Sequence, residues 1–381
     1  MSQNNPQGSA NSLLNAHKRC KELYDEGKPM FTKERIRDIQ EQIRNDPERY
    51  KLIRIDDSEF MQKKNISQRN KPSIEFFTYY ELTEDHPTSR PFPYCTYIVR
   101  SIFTRPSRWE LPATVQPVPT DIAQHASGST AAPVAGQGGM AQDELKQVTW
   151  QNGFSAATTA WENTDSYRKL RSAINHGFGV APRQWARVNK IVCFALGEPH
   201  GQEMRERMMQ HAMVNTVADM LEQRFGTQVR KLTQDPLYSD TSKAALRRLG
   251  FEIVETPGLA GAFLEVDNDS IVVSIHPPVA VKQVIAELAR PMMCIMNKIV
   301  GKNSQYLKDP WRSVKWVDSP RTWAMWDDYA EEFVFKRENL MGWSEGISAL
   351  FREVHPTAPA APAAPAAPAA PASQASPASQ T

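Results

Sequence analysis

Strand and helix signals alternate along the second half of the chain, and this alternation constrains the fold more than any other feature. Residues 191–196 form a continuous apolar run ending at Gly197, as expected of a parallel strand buried on both faces. Further strands are predicted at 229–233, 251–254, 271–275 and 292–296, with a short extra strand at 263–266. Helices are predicted between them at 202–225, 240–249 and 279–289. Because strand–helix–strand repeats build crossover units, we predict an α/β fold with a Rossmann-like, doubly wound, mostly parallel sheet.

Shifts in composition divide the chain into five parts. Residues 1–12 are polar and predicted to be disordered, and 13–110 are predicted to form an N-terminal α+β flanking region. That region is expected to contain a helix near 33–45 and strands near 74–82 and 96–103. Residues 111–144 are predicted to be a flexible linker, since Asp121 is the only charged residue from 111 to 142. The Rossmann-type domain is expected at 145–350, followed by a disordered Pro/Ala-rich tail at 351–381.

Charge and cysteine usage exclude several classes of protein. Lys and Arg total 45 against 43 Asp and Glu, a net charge of +2, so direct nucleic-acid binding and attachment to anionic membranes are not expected. The four cysteines are scattered without a CxxC motif, which argues against a disulfide framework and a zinc finger. The histidines lack metal-type spacing, so no metal site is predicted. A membrane helix needs an apolar run of roughly 18 residues, and no run in this sequence approaches that length. We therefore expect a soluble protein of the cytoplasm, the nucleus or both.

The turns that follow three predicted strands are the candidate site, because the carboxyl ends of parallel strands share one edge of a sheet. These turns lie at 197–200, 234–238 and 276–278. The ligand-binding candidates that they contain are Gly197, Glu198, Asp235, Pro236, Tyr238, His276 and Pro277.

Each chemical role at these turns has a structural alternative. The segment 197–201 could hold an anion at a helix N-terminus or be a plain strand-to-helix turn. Asp235 could accept hydrogen bonds from ribose hydroxyls or initiate a turn before Pro236. His276 is a weak candidate for a general base, against a structural role at a strand end.

Five tryptophans are crowded near the end of the predicted domain. Their rings could cover one face of the sheet or form an exposed patch that contacts a protein partner; stacking on bases is a third alternative. They are Trp311, Trp316, Trp323, Trp326 and Trp343.

Five motifs in a fixed order resemble the Sensitivity to Red light Reduced (SRR-like) family, in a version typical of filamentous fungi. They lie at 192–197, 210–212, 234–239, 249–254 and 274–278, and the Gln-Asp-Pro-x-Tyr element that starts at Gln234 is the most specific. The resemblance covers roughly residues 150–300 and implies an intracellular regulatory protein, because the family is linked to circadian timing, light signalling and haem metabolism. No catalytic mechanism is established for the family, so it assigns no catalytic residue.

Three hypotheses follow, and whether the protein is an enzyme stays open among them. The first is a regulatory or ligand-sensing protein with a nucleoside-like ligand and a protein partner; haem is a less favoured ligand. The second is an S-adenosylmethionine-dependent methyltransferase, in which Gly197 and Glu198 contact the amino-acid end of the cofactor, Asp235 the ribose and His276 the acceptor. The third is a non-catalytic interaction scaffold.

Overall fold

The computed structural model describes residues 6–64, 71–83, 94–102, 142–199, 204–256, 258–300, 318–335 and 346–353. The predicted linker at 111–144 lies outside the described residues apart from its last three, which begin a helix. The predicted tail lies outside them after residue 353. Within the first 12 residues, predicted as disordered, a helix begins at Pro6.

The N-terminal region consists of helices and two small antiparallel sheets. Its elements are α1 (Pro6–Asp25), α2 (Lys33–Asn45), β1 (Arg49–Ile53), β2 (Glu59–Lys63), β3 (Lys71–Phe76), α3 (Tyr79–Thr83) and β4 (Tyr97–Ile102). Strand β1 pairs with β2, and β3 pairs with β4. Helix α2 starts where the Thr32 side chain accepts a hydrogen bond from the Arg35 N–H, and it buries Ile36, Ile39 and Ile43 along one face.

The remaining elements build the central sheet and its flanking helices. In chain order they are α4 (Gln142–Glu162), α5 (Asp165–Val180), α6 (Pro182–Trp185), β5 (Lys190–Phe194), α7 (Met204–Phe225), β6 (Arg230–Gln234), α8 (Asp240–Arg248), β7 (Phe251–Ile253), α9 (Gly261–Glu265), β8 (Ser270–Ser274), α10 (Val281–Leu288), β9 (Met293–Asn297), α11 (Pro320–Trp326), β10 (Tyr329–Val334) and β11 (Ile347–Arg352).

The central sheet has seven strands in the order β10-β11-β9-β8-β5-β6-β7. Strands β5 to β9 are mutually parallel, and β11 runs antiparallel to both of its neighbours. The predicted mostly parallel Rossmann-like sheet is therefore confirmed, and its five parallel strands coincide with the predicted ones to within two residues. The pair β10–β11 was not predicted.

The sheet is buried on both faces, because the residues of β5 alternate between two apolar cores. Val192 and Phe194 belong to a core shared with the N-terminal region and with α9, α10 and α11. Ile191 and Cys193 belong to a second core that includes side chains of α4 to α8. Burial on both faces explains why β5 is continuously apolar in the sequence.

The N-terminal region is joined to the central sheet domain by polar contacts as well as by a shared core. The Arg321 guanidinium forms two hydrogen bonds to the Glu287 carboxylate, at 2.6 and 2.8 Å, and donates to the carbonyl oxygens of Tyr24 and Lys28. The same guanidinium carbon lies 3.9 Å from the centroid of the Tyr24 ring. These contacts fasten the end of α1 to α10 and α11.

Two predicted strands are wrong in part, for identifiable reasons. The strand predicted at 74–82 ends at Phe76, because Thr78 and Glu81 form a capping box that starts α3: each side chain accepts from the other's backbone N–H, at 3.2 and 2.7 Å. The strand predicted at 263–266 is helix α9. The N–H groups of Gly261 and Ala262, at the start of α9, donate to the side chains of Thr256 and Gln234. The apolar sequence at 263–266 does not reveal these contacts.

Candidate functional site

The order of the parallel strands reverses between β5 and β8. From β5 the chain continues to β6 and β7 on one side, and then crosses back to β8 and β9 on the other. In open α/β sheets, a crevice forms at this switch point, outside the carboxyl ends of the strands. The predicted turns after β5, β6 and β8 all lie at this edge.

The turn after β5 has a backbone conformation that suits few residues. Ala195 and Gly197 have φ of 54° and 82°. A Cβ built on Gly197 would lie only 2.5 Å from Cδ and Nε of Arg207, in the first turn of α7. The positive φ therefore favours glycine at 197, and a larger residue there would also have to displace the Arg207 side chain.

Asp235 joins the turn after β6 to the turn after β5. One carboxylate oxygen accepts from the Gly197 N–H at 2.7 Å, and the other accepts from the Leu237 N–H at 2.8 Å. The side chain is 9% exposed, and burial raises its pKa, against the opposing effect of the two backbone hydrogen bonds. Both oxygens are thus engaged within the protein, as the predicted turn role requires.

Glu198 is engaged in a similar way with the start of α8. Its carboxylate accepts from the backbone N–H and the hydroxyl of Ser239, at 2.9 and 2.8 Å, and from the Ser242 hydroxyl at 2.5 Å. Ser239 is also the N-cap of α8. A carboxylate near the first turn of a helix is favoured by the helix dipole.

Tyr238 points into the protein and forms a buried chain of hydrogen bonds with His211 and Thr233. Its hydroxyl lies 2.9 Å from His211 Nε2 and 2.9 Å from Thr233 Oγ1. His211 Nδ1 lies 2.7 Å from the Arg207 carbonyl oxygen, which can only accept, so Nδ1 carries the proton. Burial lowers the pKa of His211 to about 4, so the ring is neutral at physiological pH.

The two residues between these anchors are exposed. Pro236 lies on the surface, and Leu237 is 70% exposed between buried Asp235 and buried Tyr238. The Gln-Asp-Pro-x-Tyr element is therefore a turn fixed at both ends with a hydrophobic residue at its tip.

His276 lies on the β8 side of the switch point in a left-handed conformation, with φ of 48°. Its backbone N–H donates to Asn297 Oδ1 at 3.1 Å, and its Nδ1 lies 2.8 Å from Asn297 Nδ2. Asn297 is buried at the end of β9. The ring of His276 is half-buried and Pro277 is buried.

Two buried side chains in these elements have no hydrogen-bond partner among the described residues. They are the Gln210 amide in α7 and the Ser274 hydroxyl at the end of β8. Ser274 pairs in register with Phe194, the last residue of β5, so it lies directly at the switch point. An unsatisfied buried polar group costs about 1–3 kcal/mol, which makes both positions notable.

The structure groups Gly197, Glu198, Asp235 and Tyr238 around the paired turns after β5 and β6, while His276 is hydrogen-bonded to Asn297 at the end of β9. Sequence reasoning did not single out Asn297 or Arg207, whose importance depends on contacts between distant segments. Helix α4 could have been predicted from the helical spacing of four buried residues, Trp150, Phe154, Ala157 and Trp161.

Other ligand classes find little support in this part of the chain. Among the described residues, no group of three His, Cys, Asp or Glu side chains is arranged to hold a metal ion. His211 is a poor haem ligand because both of its ring nitrogens are engaged. The four cysteines are buried and free. None of the described helices is long and apolar enough to cross a membrane.

The tryptophans for which the structure gives positions are packing residues. Trp326 is buried and donates to Asp318 Oδ1 at 2.8 Å, and half-buried Trp323 donates to the Val300 carbonyl oxygen at 2.8 Å. Trp311, Trp316 and Trp343 lie outside the described residues.

The fold and the paired turns define an α/β protein of the Rossmann type, with its candidate site at the switch point of the sheet. Comparison with protein families is more specific: residues 165–332 match the model of the SRR1 domain. The matched segment runs from the start of α5 into β10 and includes every candidate site residue. The predicted family is confirmed at this level. Curated proteins and solved structures gave no significant match.

Proposed function

We propose that the protein is a regulatory protein that senses a nucleoside-like small molecule, bound at the edge of the sheet beside the β5–β8 switch point. The observation that carries this proposal is the reversal of strand order at that point. Crevices formed in this way are the common ligand sites of open α/β sheets. The regulatory role, a protein partner and a location in the cytoplasm or nucleus follow from the family's links to circadian and light signalling.

The backbone of the turns supports a ligand at this edge. Ala195, Gly197 and His276 all have positive φ at the ends of the two strands that flank the switch point. Such conformations cost about 1–3 kcal/mol each for residues other than glycine, and they are concentrated at functional sites. The Ser274 hydroxyl, for which the described residues supply no hydrogen-bond partner, is at the end of β8 beside Phe194 of β5.

The engaged carboxylates modify the roles predicted for the site. Since both oxygens of Asp235 accept backbone hydrogen bonds, contact with ribose hydroxyls would use the remaining lone pairs of these oxygens. Glu198 is held by three donors from the start of α8. Recognition by the backbone of the β5 turn and by His276 is therefore a simpler proposal than recognition by the two acids.

A second candidate function is methyl transfer from S-adenosylmethionine, and the strand order favours it. Seven-stranded sheets in which one antiparallel strand is inserted next to the edge are typical of methyltransferases that use this cofactor, and β11 has that position here. This is an analogy of fold, which does not establish an activity. In this reading His276 would contact the methyl acceptor.

A titration with matched glycine variants tests the proposed site. S-adenosylmethionine, S-adenosylhomocysteine, NAD and haem are titrated into the full-length chain by calorimetry, with thermal unfolding as a second measurement. A ligand present at 100 times its Kd should stabilise the fold by about 2.7 kcal/mol. Gly197→Ala should weaken binding, because the added Cβ displaces the Arg207 side chain and strains a turn with positive φ at the proposed site.

Gly226→Ala is the matched control. Gly226 also has positive φ, 68°, but its position has no atom within 4 Å of an added Cβ. This variant should lose about 1 kcal/mol of stability and keep its affinity. Equal affinity in Gly197→Ala and the wild type would contradict the site, and no binding by the wild type would leave the scaffold hypothesis. Transfer of a labelled methyl group to protein in a cell extract would favour the second candidate.

A further inference from the structure

A cleft that opens to solvent lies between helices α5 and α7. Its volume is about 210 Å³, below the roughly 300–1,000 Å³ of sites for drug-sized ligands. A cleft of this size suits one ring or a short branched chain rather than a whole nucleotide. Three of its lining residues belong to α5 and three to α7; they are Arg171, Asn175, Phe178, Met220, Gln223 and Arg224.

The inner part of the cleft is apolar and firmly packed. Phe178 and Met220 are both buried. The Phe178 ring packs edge-on against the rings of Trp185 and Phe225, with 5.1 Å between centroids in each pair. Side chains that interdigitate in this way keep their positions in a core. The cleft therefore offers a fixed apolar surface to the body of a ligand.

Two arginines line the same cleft, and neither has a carboxylate partner among the residues that the structure describes. Arg171 donates to the Tyr167 hydroxyl at 2.9 Å, and its guanidinium carbon lies 5.3 Å from the centroid of the Tyr167 ring. These contacts hold the guanidinium in place and use one of its five N–H donors. Arg224 is exposed in the last turn of α7. Two like charges in one cleft repel each other, so an anion between them is favoured.

The position of the cleft on α7 indicates what kind of anion it suits. The cleft lies at the C-terminal end of this helix, where the helix dipole is negative. The dipole opposes a doubly charged phosphate more strongly than a singly charged carboxylate. A planar carboxylate can also accept two parallel N–H bonds from one guanidinium. The exposed amides of Asn175 and Gln223 supply further donors at the rim.

We propose that the cleft between α5 and α7 is a separate ligand site, which binds a small organic acid. The carboxylate of the acid lies between Arg171 and Arg224, and its apolar body lies on Phe178. This site is remote from the switch point: Met220 is roughly 20 Å along α7 from Arg207, whose side chain lies beside the turn after β5. The proposal therefore does not depend on a ligand at the switch point.

Benzoate and its neutral analogue benzamide test the charge requirement. The two probes have nearly the same size and shape, and they are titrated into the full-length chain by saturation-transfer NMR. We expect benzoate to bind with a Kd on the order of 1 mM, as suits so small a ligand, and about fivefold or more tighter than benzamide. Inorganic phosphate, added as a competitor at the same concentration, should displace little benzoate.

Three arginine variants locate the binding. Arg171→Gln should weaken benzoate binding about tenfold, as for a lost hydrogen bond to a charged group, and Arg224→Gln about two- to fivefold, because this side chain is exposed. Neither change should alter the affinity for benzamide. Arg248→Gln is the matched control, since Arg248 is also exposed in the last turn of a helix, α8, but does not line the cleft. It should bind benzoate as the wild type does.

Several results would overturn the proposal. They are equal affinity for benzoate and benzamide, benzoate binding that survives in both Arg171→Gln and Arg224→Gln, and no binding of benzoate at ten times the expected Kd. Tighter binding of phosphate than of benzoate would refute the carboxylate assignment. If benzoate binds as expected while none of the nucleoside-like ligands or haem binds the wild type, the proposed function fails and the cleft site stands.

Discussion

Acidification should destabilise the folded protein through His211. The ring is buried, and burial lowers its pKa to about 4 from 6.5 in the unfolded chain. Below pH 6.5 the unfolded chain therefore binds a proton that the folded protein does not bind until about pH 4. The stability that depends on a neutral His211 is fully present above pH 6.5 and is lost as the pH falls towards 4.

The size of this effect follows from the two pKa values. The gap between 6.5 and about 4, at about 1.4 kcal/mol per pH unit, corresponds to roughly 3 kcal/mol of unfolding free energy. The hydroxyl of Tyr238 can rotate to accept from a protonated ring, so the charged form keeps a partner. The penalty is therefore mainly desolvation of the charge.

The measurement is a series of urea unfolding curves from about pH 7 to about pH 4, for the wild type and for His211→Gln. Glutamine cannot titrate, and its amide oxygen can accept from Tyr238. The raised pKa of Asp235 acts in the opposite direction, but it is present in both proteins and is removed by the comparison. As the pH decreases, the unfolding free energy of the variant should decrease less steeply than that of the wild type. The difference between the two slopes should be at most the value expected for the binding of one proton. Parallel curves for the two proteins would refute a buried neutral His211.

Two further predictions concern buried acids. Asp235→Asn should destabilise the protein by about 1–3 kcal/mol in a denaturation assay, because the new NH2 group must face one of the two backbone N–H donors. The control is Asp240→Asn at a fully exposed position, which should change stability by under about 0.5 kcal/mol. Equal effects of the two variants would contradict the paired-turn geometry. Arg321→Ala should lower the unfolding free energy by roughly 3–5 kcal/mol, because it leaves the buried Glu287 carboxylate without its cation. The control is Arg187→Ala at an exposed ion pair, which should hardly change stability. A small loss of stability in Arg321→Ala would show that the N-terminal region is held by its apolar contacts alone.

The sequence pattern was most informative where residues are buried on both faces. A continuous apolar run bounded by turn residues is typical of a central parallel strand, so β5, β8 and β9 were predicted from their composition. Strands β10 and β11 were missed because the tryptophan-rich end of the chain lacks such a run. The short apolar run at 263–266 was assigned to a strand because local composition does not distinguish a buried strand from a buried helical turn.

The amino-acid sequence by itself determined the fold class, the order of the parallel strands along the chain and the edge of the sheet at which the candidate turns lie. These follow from periodicity and from the geometry of crossover connections, which depend on neighbours in sequence. Only the tertiary structure decided which side chains at that edge are available. Asp235 and Glu198 are engaged by backbone groups 38 and 41 residues away, and Asn297 is hydrogen-bonded to His276 across 21 residues. Hydrogen bonds between distant segments depend on how strands are aligned in space, and no local pattern records that alignment.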